Sequence, residues 1–374
     1  FKTNSGNKAL EHLPVELASL NAFKPLIITG RDLAGRNSIR TLTHAFGDSG
    51  MTLGLFDDIR NTADLNVVEQ IRDFFFKGQY DSIIALGGGV IVDVAKTVNL
   101  AAALKTTDAR QLSEKTAIPD PLGPFVFVPT ASVTGMETSK YAVLNKKTFV
   151  SMSLMPDLVV LDPRLTKVKD GKTIAEAGLA ALGRTLEACA APDANPFMDA
   201  YALAALRFIR ENLVGAINHC GNKKAALAIA NAAAMSGCVI SNTDRNVLYR
   251  LGQIFQNVVH VHPGVVIGMC LNTVLSDYMK QDSRLVSVLL RPLTTEDEYA
   301  STPEDKRADR ALDTLNKFMN ELYGALKGKM PRTIQEAGIP RYLMDDIFDV
   351  INQEPDGAYL RTVIDRAGSS SVKS

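Results

Sequence analysis

The chain has 374 residues, enough for two domains that each bury a hydrophobic core. Lysine plus arginine and aspartate plus glutamate both number 41, so the formal net charge is zero. This balance gives no electrostatic footprint for nucleic acid or an anionic membrane surface, and we expect a small-molecule substrate as the partner instead.

The first 162 residues alternate between strand and helix patterns. Apolar residues at helical spacing predict helices, and short apolar runs predict strands. The helices are expected over 10–20, 37–46 and 65–76, and the strands over 25–29, 51–56, 83–86, 124–128 and 158–161. Strands separated by helices favour a parallel sheet with helices on both faces. We therefore predict an α/β, Rossmann-like nucleotide-binding domain over residues 1–162.

After Asp162 and Pro163 the strand patterns almost vanish. Helical spacing continues over 173–191, 196–212, 224–240, 265–279 and 309–326. These segments predict an all-α C-terminal domain over residues 163–374, which closes an active-site cleft against the first domain. The acidic, polar stretch 294–307 is expected to be a solvated loop.

Three glycines follow the apolar run 83–86. Gly87, Gly88 and Gly89 stand between the predicted strand and a helix that begins at Val90. Missing Cβ atoms let a ligand approach the backbone, and the N–H groups and dipole of the first helical turn favour an anion. The pattern indicates a phosphate cradle, although three glycines alone can also make a simple tight turn.

Five segments, in chain order, resemble the iron-containing alcohol dehydrogenases. They are GGGVIVDVAK from Gly87, VPTASVTGMETSKYAVL from Val128, MPDLVVLDPRLT from Met155, AGLAALGRTLEACAAPDANPFMDAYAL from Ala177 and HVHPGVVIGMCLNTVL from His260. The resemblance covers nearly the whole chain and implies the fold shared with the dehydroquinate synthases. It also implies an NAD(P)-dependent oxidoreductase that transfers a hydride between nicotinamide and a small alcohol, aldehyde or ketone.

The same resemblance implies which residues hold NAD or NADP. The three glycines would lie against the pyrophosphate, and the other matching positions are Asp93, Lys96, Thr130, Thr134, Gly135 and Lys147. Asp93 can alternatively stabilise the first turn of its helix. At the end of the first apolar strand, where NAD-preferring members often carry an acid, this chain has Gly30 and then Arg31. A guanidinium there favours the 2′-phosphate of NADP, unless Arg31 is only a solvated loop residue.

The family's Fe²⁺ or Zn²⁺ is held by an aspartate and three histidines, and all four are replaced here. The corresponding positions are Ala180, Arg184, Tyr249 and Pro263, and a further family histidine corresponds to Gln253. These side chains do not provide the imidazole or carboxylate lone pairs that a divalent ion needs, so we expect no metal at them. His260 and His262 lie beside the third lost ligand. Because two histidines alone make a poor site, we expect them to line the cleft.

Arg184 suggests how hydride transfer can proceed without the metal. Its guanidinium can hold a substrate carboxylate or a developing oxyanion, while Tyr249 and either His260 or His262 supply the proton. Two alternatives stay open. Arg184 can simply fill the emptied metal site in a catalytically inert or regulatory nucleotide-binding homologue, or the same fold can carry lyase-type chemistry.

The cysteines and the hydropathy bear on location. Cys189, Cys220, Cys238 and Cys270 are widely spaced without a C-x-x-C pair, and no apolar run reaches the length of a membrane span. Reduced thiols are typical of the cytoplasm, where we expect this protein. The family resemblance further implies a possible homodimer formed through an N-terminal edge strand.

Overall fold

The structure is a computed structural model that describes residues 2–33, 37–60, 64–130, 135–145, 147–167, 170–191, 195–243 and 246–369. The chain forms two compact units. The first is Phe1–Val168 with Gly221–Gly237, and the second is Lys169–Cys220 with Cys238–Ser374. The first unit thus includes Gly221–Gly237, which follow the start of the second unit in the chain. The predicted ranges 1–162 and 163–374 do not include such a segment.

The strands of the described residues belong to the first unit. They are β1 (Lys2–Ser5), β2 (Pro25–Gly30), β3 (Gly54–Ile59), β4 (Ser82–Gly87), β5 (Phe125–Pro129), β6 (Tyr141–Leu144), β7 (Lys147–Val150) and β8 (Leu158–Leu161). Six of them form a parallel sheet in the order β1-β8-β5-β4-β2-β3, and β6 and β7 form an antiparallel hairpin. The predicted parallel α/β architecture is confirmed.

The central strands read as apolar runs because both faces of the sheet are covered. Every residue of β2, β4, β5 and β8 is buried, as is usual for strands of an all-parallel sheet. One core cluster packs Leu13 and Leu42 against Ile84 and Val126 of the sheet. Since β4 lies between β2 and β5, the glycine turn stands at the carboxyl edge of a central strand, where ligands of such sheets bind.

The sequence patterns predict neither β1 nor the β6–β7 hairpin. β1 reads KTNS and is mostly exposed, and it pairs with β8 from Lys2 opposite Leu158 to Ser5 opposite Leu161. Backbone hydrogen bonds rather than buried side chains hold such a strand, so no apolar alternation marks it. β1 forms one edge of the sheet, and pairing of two copies through it stays a prediction.

The helices of the described residues surround the sheet and build the second unit. They are α1 (Leu13–Ser19), α2 (Asn37–His44), α3 (Leu65–Lys77), α4 (Val90–Ala103), α5 (Pro163–Thr166), α6 (Gly171–Cys189), α7 (Pro196–Asn218), α8 (Lys223–Ile240), α9 (Val247–Val259), α10 (Pro263–Gln281), α11 (Ser283–Ser287), α12 (Leu290–Leu293), α13 (Glu296–Ser301), α14 (Arg307–Leu326), α15 (Arg341–Ile351) and α16 (Gly357–Ser369). Within the described residues the second unit is helical throughout, as predicted.

Glycines let α6, α9 and α10 approach one another closely. A Cβ on Gly183 of α6 would lie 2.1 Å from Cγ2 of Ile267 on α10, and one on Gly264 would lie 1.9 Å from the carbonyl oxygen of Glu176. Gly252 of α9 is close to the start of α10 in the same way. Because a larger side chain at these positions would meet its neighbours too closely, glycine allows the three helices that carry Arg184, Tyr249 and Pro263 to pack tightly.

The predicted loop over 294–307 is wrong for its middle part. Glu296–Ser301 forms α13, capped by Thr295, whose hydroxyl oxygen accepts a hydrogen bond from the Glu298 N–H at 3.3 Å. Acidic residues in the first turn further complement the helix dipole. The polar composition that indicated a loop is thus a capping pattern.

Candidate functional site

The turn after β4 requires glycine at two positions. Gly87 has φ +152°, and a Cβ there would lie 2.9 Å from Cγ1 of Ile91. Gly89 has φ +51° and precedes α4 as its N-terminal cap; beyond its chain neighbours, no heavy atom of the described residues lies within 4 Å of a Cβ placed there. The Thr130 N–H donates to the Gly87 carbonyl at 2.9 Å, which ties the turn to β5. An open backbone at a helix N-terminus fits a dinucleotide pyrophosphate.

Lys96 lies behind this turn and is fully buried. Its ammonium group donates to three carbonyl oxygens, those of Met136 at 2.7 Å, Ser139 at 2.6 Å and Tyr141 at 2.9 Å. Burial lowers the pKa of Lys96 to about 8, while the carboxylate of Asp93 and that of a neighbouring glutamate act in the opposite direction. Since an ammonium has three donors, these bonds use all of them, and the side chain holds the segment that follows β5.

Asp93 and Lys147 also form hydrogen bonds with backbone groups. An Asp93 carboxylate oxygen accepts from the Val143 N–H of β6 at 3.0 Å, which fixes the hairpin to α4. Lys147 donates to the carbonyl oxygens of Arg110 and Leu112 at 3.0 and 2.6 Å. The structure thus gathers Asp93, Lys96 and Lys147 around the hairpin next to the glycine turn, and their contacts with a cofactor stay a prediction.

The remaining predicted cofactor positions follow β5. Thr130 is buried, and Gly135 has φ +84° at the start of a short 3-10 turn. Helix α8 covers this turn within the first unit, because a Cβ on Gly237 would lie 1.9 Å from the Gly135 carbonyl oxygen and the Thr138 hydroxyl donates to the Ala234 carbonyl at 2.5 Å. Thr134 lies outside the described residues.

Arg31, at the end of β2, is paired rather than isolated. Its guanidinium forms a salt bridge with Asp58 of the neighbouring strand β3, and both side chains are about half exposed. The two opposite charges stand together at the same edge of the sheet as the glycine turn. A carboxylate and a guanidinium therefore stand together at this edge, and their contacts with a ribose or a 2′-phosphate stay a prediction.

In the second unit, the positions predicted to replace the metal ligands carry no imidazole or carboxylate group. Ala180 and Arg184, four residues apart on α6, are buried, as are Tyr249 on α9 and Pro263 at the start of α10. Across the part of the chain that the structure describes, no three histidine, cysteine, aspartate or glutamate side chains form a group that could hold a metal ion. The donor set at the family's metal position does not fit iron or zinc.

Arg184, at one of these predicted positions, is a buried cation. The guanidinium carbon of Arg184 lies 5.1 Å from the centroid of the Tyr249 ring, within the range of a cation–π interaction. The residue is only 1% exposed. Because a charge in a poorly hydrated environment is weakly screened, Arg184 creates a positive potential around itself.

His262 lies within that potential. Burial is the largest cause that lowers its pKa to about 4, and the positive charges of Arg184 and Lys172 add to it. Its Nδ1 accepts a hydrogen bond from the Gly264 N–H at 3.1 Å. Neutral His262 therefore carries its proton on Nε2 and can donate it in a hydrogen bond.

His260 and Gln253 are placed differently. His260 is exposed and ends α9 with a left-handed φ of +56°, so its side chain faces solvent more than a site. Gln253 is half-buried on α9. Of the two predicted histidines, only His262 is brought under the influence of Arg184.

Two carboxylates near this region were missed by the sequence analysis. Glu187 is buried and accepts from the N–H groups of Val247 and Leu248 at 2.7 and 3.0 Å, and from the Tyr278 hydroxyl at 2.8 Å. It thereby caps α9, whose own N-cap residue makes no side-chain capping bond. Because Glu187 is distant from α9 in the chain, no local sequence pattern predicts this cap. The sequence could have indicated Glu176 as a neighbour of this region, since it precedes Ala180 by one helical turn. Burial raises the pKa of the Glu176 carboxyl group.

None of the described helices has the length and apolar content needed to cross a bilayer.

Comparison with known protein families gives consistent matches for both halves of the chain. Residues 2–163 match the iron-containing alcohol dehydrogenase family, and residues 174–351 match the C-terminal part of the Fe-containing alcohol dehydrogenase family. The two matches are adjacent and together span most of the sequence.

Individual relatives extend over nearly the full length. An NAD-dependent methanol dehydrogenase of Bacillus methanolicus is 25% identical over 358 residues, covering 93% of this chain and 92% of the relative. A sulfoacetaldehyde reductase of Bilophila wadsworthia is 24% identical over 363 residues, covering 91% and 92%. Among solved structures, that of a 1,3-propanediol oxidoreductase superposes with a TM-score of 0.86 at 20% identity, covering 98% of this chain and 97% of that one.

Proposed function

We propose that this chain, which belongs to the iron-containing alcohol dehydrogenase family, is an NAD(P)-dependent oxidoreductase whose substrate is a small alcohol, aldehyde or ketone with a neighbouring anionic group. Arg184 takes the place of the metal in this proposal. The observation that carries it is the buried guanidinium of Arg184, at a position that the sequence predicts to correspond to a family metal ligand.

The glycine turn would hold the cofactor. Gly87, Gly88 and Gly89 present backbone N–H groups and the N-terminus of α4 to the pyrophosphate. When bound, a nicotinamide dinucleotide supplies or accepts the hydride. Asp58 and Arg31 at the ends of β3 and β2 support binding of NAD and NADP respectively.

Arg184 supports an anionic substrate for an electrostatic reason. A guanidinium that is shielded from water attracts a carboxylate or sulfonate strongly and can hold it through two parallel hydrogen bonds. It can equally stabilise negative charge that develops on the reacting oxygen. A relative named as a sulfoacetaldehyde reductase, whose named substrate is an acidic aldehyde, is consistent with this assignment.

Tyr249 would supply the proton, and neutral His262 would donate a hydrogen bond to the carbonyl oxygen. Reduction of a carbonyl group needs a proton at the carbonyl oxygen, and neutral His262 presents an Nε2–H because its Nδ1 is already an acceptor. The Tyr249 hydroxyl belongs to the same cluster through the contact of its ring with Arg184. Since burial and the two cations hold His262 neutral at pH 7, it acts as a hydrogen-bond donor rather than as a charged acid.

The test uses Arg184→Gln with NADH and NADPH on paired aldehydes that differ only in an acidic group. We expect kcat/KM for the acidic aldehyde to fall by about 100-fold, the size expected for loss of an aimed charged donor. The value for its neutral analogue should change much less. Arg207→Gln, an exposed arginine on α7, is the matched control and should leave both values unchanged.

Several results would contradict the proposal. Equal turnover of both aldehydes by the wild type and Arg184→Gln would remove Arg184 from the mechanism. Stoichiometric iron or zinc in the purified protein would show that a metal is held by other residues. Failure to bind either nicotinamide cofactor would support an inert homologue, and substrate conversion without a change in nicotinamide absorbance would support lyase-type chemistry.

A further inference from the structure

The second unit contains a cavity that the proposed function does not use. It has a volume of about 480 Å³ and lies between α10 and α14, with residues that include Gly268, Thr273, Asn320, Tyr323 and Arg332. This volume is within the range of small-molecule sites. Arg184, Tyr249 and His262 are not among the residues that line it.

A buried hydroxyl group faces this cavity. Tyr323 is only 7% exposed, and its hydroxyl has no hydrogen-bond partner among the described residues. The hydroxyl stands next to Gly268, because a Cβ on that glycine would lie 2.9 Å from it. Buried hydroxyl groups are normally hydrogen-bonded, so this one is suited to a bound molecule.

A cation lies over the ring of the same tyrosine. The guanidinium carbon of Arg332 lies 5.0 Å from the centroid of the Tyr323 ring. Across the described residues, Arg332 forms no ion pair, whereas Arg366, which also lines the cavity, is held by both carboxylate oxygens of Asp277 at 2.6 Å. Arg332 is therefore the cation of this cavity that an incoming anion can engage without breaking an existing pair.

The rest of the lining suits a small polar molecule with some apolar surface. Thr273, Ser276 and Asn320 offer hydroxyl and amide groups, and Met269 and Met319 offer apolar ones. No aspartate or glutamate is among the described lining residues; the carboxylate of Glu336, outside the lining, accepts from the Arg332 backbone N–H at 2.8 Å. We propose that this cavity binds a small organic molecule with a carboxylate or phosphate group, which Arg332 and the Tyr323 hydroxyl hold.

The experiment titrates the full-length protein by isothermal calorimetry with malate, glycerol 3-phosphate and inorganic phosphate in a chloride buffer. We expect at least one of them to bind saturably. Arg332→Gln should weaken that binding by at least tenfold and Tyr323→Phe by about threefold, since the first loses the charge and the second only the hydroxyl. Binding of malate alone identifies a carboxylate ligand, and binding of the phosphates alone identifies a phosphate ligand.

Two controls separate this site from others. Arg361→Gln removes an arginine that also stacks on an aromatic ring, that of Phe348 at 4.2 Å, but lies outside the cavity, and it should bind like the wild type. Arg184→Gln should also bind normally, which distinguishes this proposal from the proposed function. The proposal is overturned if none of the three compounds binds, or if binding is unchanged in both Arg332→Gln and Tyr323→Phe. Loss of binding in Arg184→Gln without loss in Arg332→Gln would place the anion elsewhere and overturn it too.

Discussion

Each unit buries a long cationic side chain, and the two differ in what surrounds them. In the first unit, Lys96 gives all of its donors to carbonyl groups of one segment and is fully shielded. In the second, Arg184 lies over a tyrosine ring, and its charge adds to burial in lowering the pKa of His262. Burial of a cation therefore does not by itself reveal its role. Carbonyl neighbours indicate a structural one, and neighbours that handle protons indicate chemistry.

The substitution Lys96→Met tests the structural role of Lys96, and it should have the largest effect. It leaves three buried carbonyl oxygens without their donor, and we expect a loss of about 3–5 kcal/mol in the free energy of unfolding. Urea denaturation at pH 7 measures it. Lys77→Met, at the exposed C-terminal end of α3, should change stability by less than ~0.5 kcal/mol. Equal effects of the two substitutions would show that Lys96 does not hold the segment after β5.

The environment of His262 is tested through the pH dependence of stability. Because the pKa of His262 is about 4 instead of 6.5, the unfolded chain binds a proton in this window that the folded chain does not. Stability is therefore lost as pH falls from about 6.5 to about 4, by up to about 3 kcal/mol at roughly 1.4 kcal/mol per pH unit. Below pH 4 this contribution no longer changes.

Denaturation curves of the wild type and His262→Gln between pH 4 and 7 isolate that contribution. The variant should lack this part of the slope, and His219→Gln, at an exposed position, should keep it. If the wild type and His262→Gln have the same slope, His262 is not held neutral by its surroundings.

The glycine turn is tested by Gly87→Ala. The added methyl group meets Ile91 at 2.9 Å and the residue keeps φ +152°, so we expect a loss of about 2 kcal/mol in stability and weaker NADH binding. Gly215→Ala on α7 is the matched control. It has no neighbour within 4 Å among the described residues and should be neutral or stabilising by about 0.5–1 kcal/mol. Unchanged NADH affinity in a folded Gly87→Ala protein would count against the cradle.

The smallest effect is expected at the Arg31–Asp58 pair. Asp58→Asn removes a carboxylate and leaves the guanidinium unpaired, which should shift the ratio of kcat/KM values toward NADPH by about threefold to tenfold. Stability should change by less than about 1 kcal/mol, because exposed ion pairs contribute little. Asp282→Asn, which breaks an exposed pair with Arg284, should leave the cofactor ratio unchanged. A ratio unaffected by Asp58→Asn would place the pair away from the ribose.

The features that local chemistry determines could be predicted from the sequence. Buried runs such as 83–86 give the central strands, and positive φ at Gly87 and Gly89 is what glycine permits. The rest depends on partners distant in the chain. β1 is held by backbone bonds to β8, Glu187 caps a helix 60 residues later, and Lys96 is held by carbonyls 40 to 45 positions along. Cavities such as the one beside Tyr323 depend on packing, which no local pattern encodes.

The return of Gly221–Gly237 to the first unit has a consequence for how the protein matures. During synthesis, residues 1–168 leave the ribosome well before α8. The turn at Gly135 therefore stays unpacked until α8, more than 80 positions later in the chain, has been made. Closing so long a loop is slow. We expect a fragment that ends at residue 168 to stay incompletely protected in amide hydrogen exchange, and addition of residues 221–237 as a separate peptide to restore that protection.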